Sequence, residues 1–161
     1  MTICIAAVCE YKEKDVLVIA TDHMIDVGIG QFEHDINKYK KINNKNIAML
    51  AGSALMFNEL VAGISQTKSF SDTKKDIYNN FLKVREEVID NQLLKKFNLK
   101  MDEIKKIVTS EIKNPIIAKL IESIAKLKLE TSILLVGFED GKAKISEIQE
   151  ADTEVLTGEG V

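Results

Sequence analysis

Apolar and polar residues alternate in blocks along the first third of the chain. Residues 2–9 and 16–21 are β-branched and aliphatic runs, and the charged stretch 10–15 between them predicts a hairpin of buried strands. Further strands are predicted at 28–32, 38–42 and 47–51, with an asparagine-rich turn at 43–46 before the last of them. About five strands therefore precede the first helix.

From Ser53 onward, apolar residues recur at helical spacing. Ser53 is the expected cap of a first buried helix, and the apolar stripe of a long amphipathic helix includes Ile77, Phe81 and Val84. Asn114-Pro115 separates two more helices, because proline disfavours helical backbone in the residue before it. The predicted helices are 53–64, 73–93, 101–112 and 116–128, and strands at 132–138 and 143–148 flank a turn at 139–141. This order of strands, helices and strands indicates an α+β layered fold.

The composition is typical of a globular protein, with 45% hydrophobic and 29% charged residues among 161. We expect one domain, 1–161. The net charge is -3 and the lysines are spread among acidic residues, so there is no basic stripe to bind nucleic acid. No run approaches the ~18 apolar residues of a membrane span, and the first residues lack the positive charge of a signal peptide. We therefore expect a cytoplasmic protein without nucleic-acid or membrane partners, in which Cys4 and Cys9 are reduced core residues.

Four segments of the chain resemble one known family in their order. They are Thr-Ile-Cys-Ile-Ala-Ala-Val-Cys from Thr2, Ile-Ala-Thr-Asp ending at Asp22, Lys-Tyr-Lys-Lys-Ile from Lys38 and Ala-Gly-Ser around Gly52. Their order and the separations of Asp22, Lys38 and Gly52 are similar to those in proteasome β subunits, which are N-terminal-nucleophile (Ntn) hydrolases. The Gln-Phe-Glu-His stretch at 31–34 is similar to that of stand-alone prokaryotic proteasome-like proteins.

The resemblance implies an αββα four-layer sandwich with antiparallel sheets, carrying a helical insertion at about 92–130 relative to the proteasome subunits. It implies no cofactor, a peptide or protein substrate, and assembly into a homo-oligomer. The family domain continues through strands and helices that have no counterpart after Val161, so we expect a domain that is incomplete at its C-terminus. Glu159 stands where the family carries a serine, and Glu159 and Ser53 are additional candidate site residues.

The chemistry of these residues can be stated without the family. A threonine hydroxyl is a poor nucleophile at neutral pH and needs a base within hydrogen-bond reach. Removal of Met1 would give Thr2 a free α-amine, whose ordinary pKa of about 7.7–8.0 suits a general base. Lys38 would stabilise the alkoxide, Asp22 would pair with Lys38, and the Gly52 amide is the candidate oxyanion donor.

No metal site is predicted, because His23 and His34 lie in a polar stretch without a third ligand at suitable spacing. The leading hypothesis is an N-terminal threonine amide-bond hydrolase that acts through a threonyl ester. Capture of the same ester by an amine would instead make the protein a transpeptidase or ligase. The alternative from another class is a non-catalytic structural or assembly protein with the Ntn fold.

Overall fold

A computed structural model describes residues 3–22, 24–26, 31–33, 37–53, 56–108 and 114–149. The fold is mixed α+β and its strand pairs are antiparallel, which confirms the predicted class. The chain divides into two compact units, one formed by 1–81 and 130–161 and the other by 82–129. The predictions of one domain and of a helical insertion at about 92–130 stay predictions.

The first unit begins with a regular antiparallel hairpin. Strands β1 (Cys4–Tyr11) and β2 (Lys14–Thr21) pair over their full length. Only Lys12 and Glu13 form the turn, and both have positive φ, 51° and 60°, as a two-residue hairpin turn of type I′ requires. The predicted connection over 10–15 was therefore too long, since its outer residues continue the strand ladder.

The two faces of this hairpin differ in burial. The prediction of buried strands was therefore wrong for the face that is exposed. Inward-facing residues alternate with exposed ones along β2, as expected of a sheet covered on one side. The inner face lies toward the neighbouring sheet of the same unit. Cys4 is half-buried but Cys9 is exposed, so Cys9 is not the core residue that its apolar surroundings in sequence predicted.

The second sheet of this unit has four strands in the order β5 (Tyr39–Lys41), β6 (Asn46–Ala51), β7 (Ser132–Glu139) and β8 (Lys142–Gln149). Its last two strands form a hairpin through Asp140 and Gly141, whose φ values of 51° and 79° fit the predicted Asp-Gly turn. Asp15 of the first hairpin accepts a hydrogen bond from the Ala143 amide at 2.7 Å, which ties the two hairpins together. The remaining two strands, β3 (Met24–Asp26) and β4 (Gln31–Glu33), pair with each other.

Helix α1 (Phe57–Leu60) is much shorter than the predicted helix 53–64. Its N-cap is Met56, which makes no side-chain cap bond, so the prediction that Ser53 caps the helix was wrong. The Ser53 amide instead donates to the Thr131 hydroxyl at 3.2 Å. Phe57, Leu60 and Val61 are buried. The apolar spacing therefore marked buried positions correctly, although the helix itself ends at Leu60.

Helix α2 (Phe70–Ile89) confirms the predicted stripe, since Ile77 and Phe81 are fully buried. The helix starts before Ser71, earlier than predicted. The Glu139 carboxylate accepts bonds from the Ser71 amide at 3.0 Å and the Ser71 hydroxyl at 2.9 Å. These bonds hold the pKa of Glu139 below its usual value, and the bond from the amide has the larger effect. They also satisfy donors of the first helical turn.

The second unit contains the end of α2 and two shorter helices, α3 (Met101–Val108) and α4 (Pro115–Lys126). The predicted break at Asn114-Pro115 is confirmed, because the Asn114 side chain accepts from the Ile116 amide at 2.9 Å and Pro115 occupies the first turn. The core of this unit comprises Ile89, Leu94, Ile104 and Leu120.

Across the described residues, no helix combines the length and the apolar character that crossing a bilayer would take.

Candidate functional site

An ion pair between a buried lysine and a partly buried aspartate joins the end of the first hairpin to the four-stranded sheet. Asp22 directly follows β2, and Lys38 directly precedes β5. The Lys38 ammonium donates to Asp22 Oδ1 at 2.5 Å. The two side chains are 9% exposed for Lys38 and 17% for Asp22, which shields the pair from solvent screening.

Asp22 also holds the beginning of β1. Its Oδ2 accepts a hydrogen bond from the Ile3 amide at 3.2 Å, and its own amide donates to the Ile3 carbonyl at 3.1 Å. One carboxylate therefore binds the Lys38 ammonium with one oxygen and the backbone of Ile3 with the other. Since the Ile3 nitrogen is bonded to the carbonyl carbon of Thr2, Asp22 links Lys38 to the residue next to the candidate nucleophile.

The hydrogen bond from Lys38 lowers the pKa of Asp22 below its ordinary value, and the Ile3 amide acts in the same direction. Partial burial works against this shift. The carboxylate is therefore ionised at neutral pH, and the contact is a charge-assisted hydrogen bond.

Leu50 of β6 fixes both neighbours of the ion pair through its backbone. Its amide donates to the Lys38 carbonyl at 2.8 Å, and its carbonyl accepts from the Cys4 thiol at 3.3 Å. Burial raises the pKa of Cys4, and the negative charge of Asp22 adds to the rise while Lys38 opposes it. The Cys4 thiol is therefore neutral at physiological pH and acts as a packing and donor group.

Sequence reasoning did not assign Cys4 to the site. The alternation of β1 is the signal that could have done so. Cys4 shares the inner face with Ala6, whereas Ile5 and Ala7 point the other way. Because Cys4 directly follows Ile3 and lies on the inner face, its thiol is placed near the start of the strand pair.

Gly52 lies two residues after Leu50, just beyond β6. Its φ is 114°, a backbone angle that residues with a side chain rarely adopt. A Cβ at this position would overlap the Glu130 carbonyl and lie 2.7 Å from the Thr131 Cα. Glu130 is itself left-handed, with a φ of 49°. Glycine adopts this backbone without strain, whereas Glu130 is strained, and such strain is concentrated at functional sites.

The structure brings Asp22 and Lys38 together and places Gly52 at the end of the strand that binds Lys38. Ser53 contacts Thr131, a residue that sequence reasoning missed because 78 positions separate the two. The other candidates, Thr2 and Glu159, lie outside the described residues, as do His23 and His34.

Within the part of the chain that the structure describes, no group of three or more histidine, cysteine, aspartate or glutamate side chains could hold a metal ion. Comparison of the chain with protein-family models, with curated proteins and with solved structures found no match.

Proposed function

We propose that the protein is an Ntn hydrolase with the αββα sandwich, in which Thr2, freed by removal of Met1, attacks an amide carbonyl of a peptide or protein. The observation that supports this most strongly is the shielded Asp22–Lys38 pair, because Asp22 also binds the backbone of Ile3. A cation is thereby held close to the start of β1. A threonine nucleophile needs a positive charge in that place to stabilise its alkoxide.

In the proposed reaction the α-amine of Thr2 takes the proton of the Thr2 hydroxyl, and the oxygen attacks the amide carbon. The carbon–nitrogen bond then breaks, the amine leaves with that proton, and the acyl group stays on Thr2 as an ester. A water molecule, deprotonated by the same α-amine, attacks the ester and releases the acid and the free threonine. No cofactor is required.

Each of the remaining residues has one part in this scheme. Lys38 stabilises the negative charge of the attacking oxygen, and Asp22 keeps Lys38 in position without taking a proton. The turn at Gly52 supplies an amide to the oxyanion, and loss of one such donor typically costs about 3–4 kcal/mol of barrier lowering. The Cys4 thiol binds the carbonyl of Leu50, whose amide in turn binds the backbone of Lys38.

The test combines mass spectrometry with an epoxyketone, which reacts with an N-terminal threonine. We expect an intact mass without Met1, labelling at Thr2, and loss of labelling in Thr2→Ala and Lys38→Ala. Lys68→Ala is the matched control, because Lys68 also makes a 2.5 Å ion pair in the first unit, with Asp76. Circular dichroism checks that each variant is folded.

Two results would overturn the proposal. One is a purified protein that retains Met1, since the acylated or extended amine could not act as the base. The other is labelling of Thr2→Ala at the rate of the unmodified sequence. If Lys38→Ala and Lys68→Ala lose labelling equally, the effect of Lys38 is structural and not catalytic.

A non-catalytic packing protein is the second candidate, and one observation favours it: an exposed apolar face on the first hairpin. Such a protein would keep the Asp22–Lys38 pair as a structural link between its sheets. It would not react with the epoxyketone, even with Met1 removed.

A further inference from the structure

The backbone amides near the end of β6 are directed alternately to the two strands beside it. On the side of β5, Leu50 donates to the Lys38 carbonyl at 2.8 Å. On the side of β7, Ser53 donates to the Thr131 hydroxyl at 3.2 Å. Successive amides of a strand point to opposite edges, and Gly52 lies two residues after Leu50. The Gly52 amide is therefore directed to the edge on which Lys38 lies.

Two contacts hold the peptide groups on either side of Gly52. Ala51 pairs with Ser132 at the end of the strand register, and the next contact is that of the Ser53 amide with Thr131. Because each peptide group is planar, only φ and ψ of Gly52 can vary between these contacts. The bond to Thr131 lies beyond the last strand pair, where the backbone would otherwise fray. It therefore limits the movement of the Gly52 amide.

The residues that provide this contact pack directly on the turn. Thr131 is 7% exposed, so solvent cannot readily take the place of its hydroxyl as the partner of the Ser53 amide. A Cβ on Gly52 would lie 2.9 Å from Thr131 Oγ1. Glu130, which has the strained φ of 49°, places its carbonyl against Gly52 as well.

We propose that Thr131 is a positioning residue for the oxyanion donor. Its hydroxyl holds the Ser53 amide, and the Gly52 amide thereby stays directed toward the Lys38 edge. This inference rests on the proposed function, in which the Gly52 amide binds the oxyanion. Removal of the hydroxyl leaves the donor in the chain but lets it move, so the rate should fall by less than the 10²–10³-fold that loss of such a donor typically costs.

The experiment follows inactivation by a peptidyl epoxyketone, whose ketone becomes an oxyanion when the Thr2 hydroxyl adds to it. The dependence of the rate on inhibitor concentration separates the limiting rate, kinact, from the inhibitor binding constant, KI. We expect Thr131→Val to lower kinact at least about tenfold and to leave KI within about twofold, because the donor acts on the oxyanion and not on the bound ketone. Thr131→Ser keeps the hydroxyl and should restore kinact to within about twofold.

Thr73→Val is the matched control. Thr73 is fully buried, and its hydroxyl donates to the Ser69 carbonyl at 2.7 Å and accepts from the Asn46 side chain at 3.0 Å. Asn46 begins β6, so this variant removes a buried hydroxyl at the opposite end of the strand from Gly52. It should leave kinact unchanged. If Thr131→Val loses its circular dichroism signal, Thr131→Ala replaces it.

The possible failures are distinguishable. A wild-type protein without Met1 that the epoxyketone does not label would overturn the proposed function, and this inference with it. Labelling of Thr131→Val with the wild-type kinact would overturn the inference alone. So would an equal fall of kinact in Thr73→Val, or a Thr131→Ser protein as slow as Thr131→Val, since either result would make the role of Thr131 purely structural.

Discussion

The two long hairpins of the first unit have the same length and the same two-residue connection, but opposite surroundings. β7 and β8 contribute to the core, where Ile133, Leu135 and Ile148 are almost fully buried. β1 and β2 are covered on one face only, and Ile5 and Val18 are open on the other. Strand formation and register therefore depend on the local pattern and the turn, whereas burial depends on what the rest of the molecule places against each face.

The two hairpins also contribute differently to the rest of the fold. The second hairpin supplies core side chains and satisfies the start of α2 through Glu139. The first hairpin contributes less burial, but it carries the Asp22 carboxylate that binds Ile3 and Lys38. Substitutions in the two hairpins should accordingly have different consequences.

The largest expected difference is between Leu135→Ala and Ile5→Ala. Leu135 is fully buried, so its truncation should cost about 3–4 kcal/mol in the free energy of unfolding, through lost burial and a residual cavity. Ile5 is 56% exposed, so the same truncation should cost under about 1 kcal/mol in the monomer. Urea denaturation at low protein concentration measures both losses. Equal losses would show that the face of the first hairpin that includes Ile5 is covered within a single chain.

The sequence predicted the second hairpin better than the first, for a physical reason. Asp140-Gly141 specifies its turn locally, since glycine and aspartate tolerate positive φ. Lys12 and Glu13 give no such signal, and the charged run around them looked like a longer loop. The continuous apolar runs of β1 and β2 also predicted that both faces would be covered, whereas one face of the hairpin is exposed.

The candidate site shows a similar division. Asp22 and Lys38 were identified by their place in a family-like order, and the structure puts them in direct contact. Their catalytic roles stay predictions. Thr131 and Glu130 could not be found from sequence, because they meet Gly52 only through the pairing of β6 with β7.

The next effect in size concerns Asp22, which directly follows the first hairpin. Asp22→Asn removes the negative partner of a shielded lysine, which should cost about 2 kcal/mol at pH 7. Because folding lowers the pKa of Asp22, the carboxylate stabilises the fold above its unfolded pKa of about 4 and loses this effect as the pH falls through its lower folded value. The stability gap between the two proteins should therefore begin to narrow below about pH 4 and close only below the lower folded pKa.

Unfolding curves from pH 7 to pH 2.5 measure that gap. Asp76→Asn is the control, since Asp76 is in the other 2.5 Å lysine pair, whose Lys68 is 37% exposed. Its effect should be under about 1 kcal/mol. A gap for Asp22→Asn that stays constant down to the lowest pH would contradict the charged state assigned to Asp22.

A smaller effect is expected just before the second hairpin. Thr131→Val keeps the side-chain shape but removes the acceptor of the Ser53 amide, which should cost about 1–2 kcal/mol. Thr131→Ser retains the hydroxyl and should retain the bond. In the proposed enzyme, Thr131→Val should also slow epoxyketone labelling more than Thr131→Ser, because the turn at Gly52 would lose its support. Equal labelling rates for the two variants would show that the Thr131 hydroxyl does not support the oxyanion donor.

The smallest expected effect comes from exchanging the turn chemistry of the two hairpins. Glu13 has a φ of 60° and Gly141 a φ of 79°, so both occupy left-handed backbone, but only the glycine does so without steric cost. Glu13→Gly should therefore stabilise the protein by about 0.5–1 kcal/mol, although glycine also increases the entropy of the unfolded chain. Gly141→Ala should destabilise it by about 1 kcal/mol, since a Cβ there meets no neighbouring atom and the cost is conformational. Thermal melts of both variants measure these shifts, and a Glu13→Gly protein that melts at a lower temperature would show that the first hairpin depends on Glu13 for more than its turn.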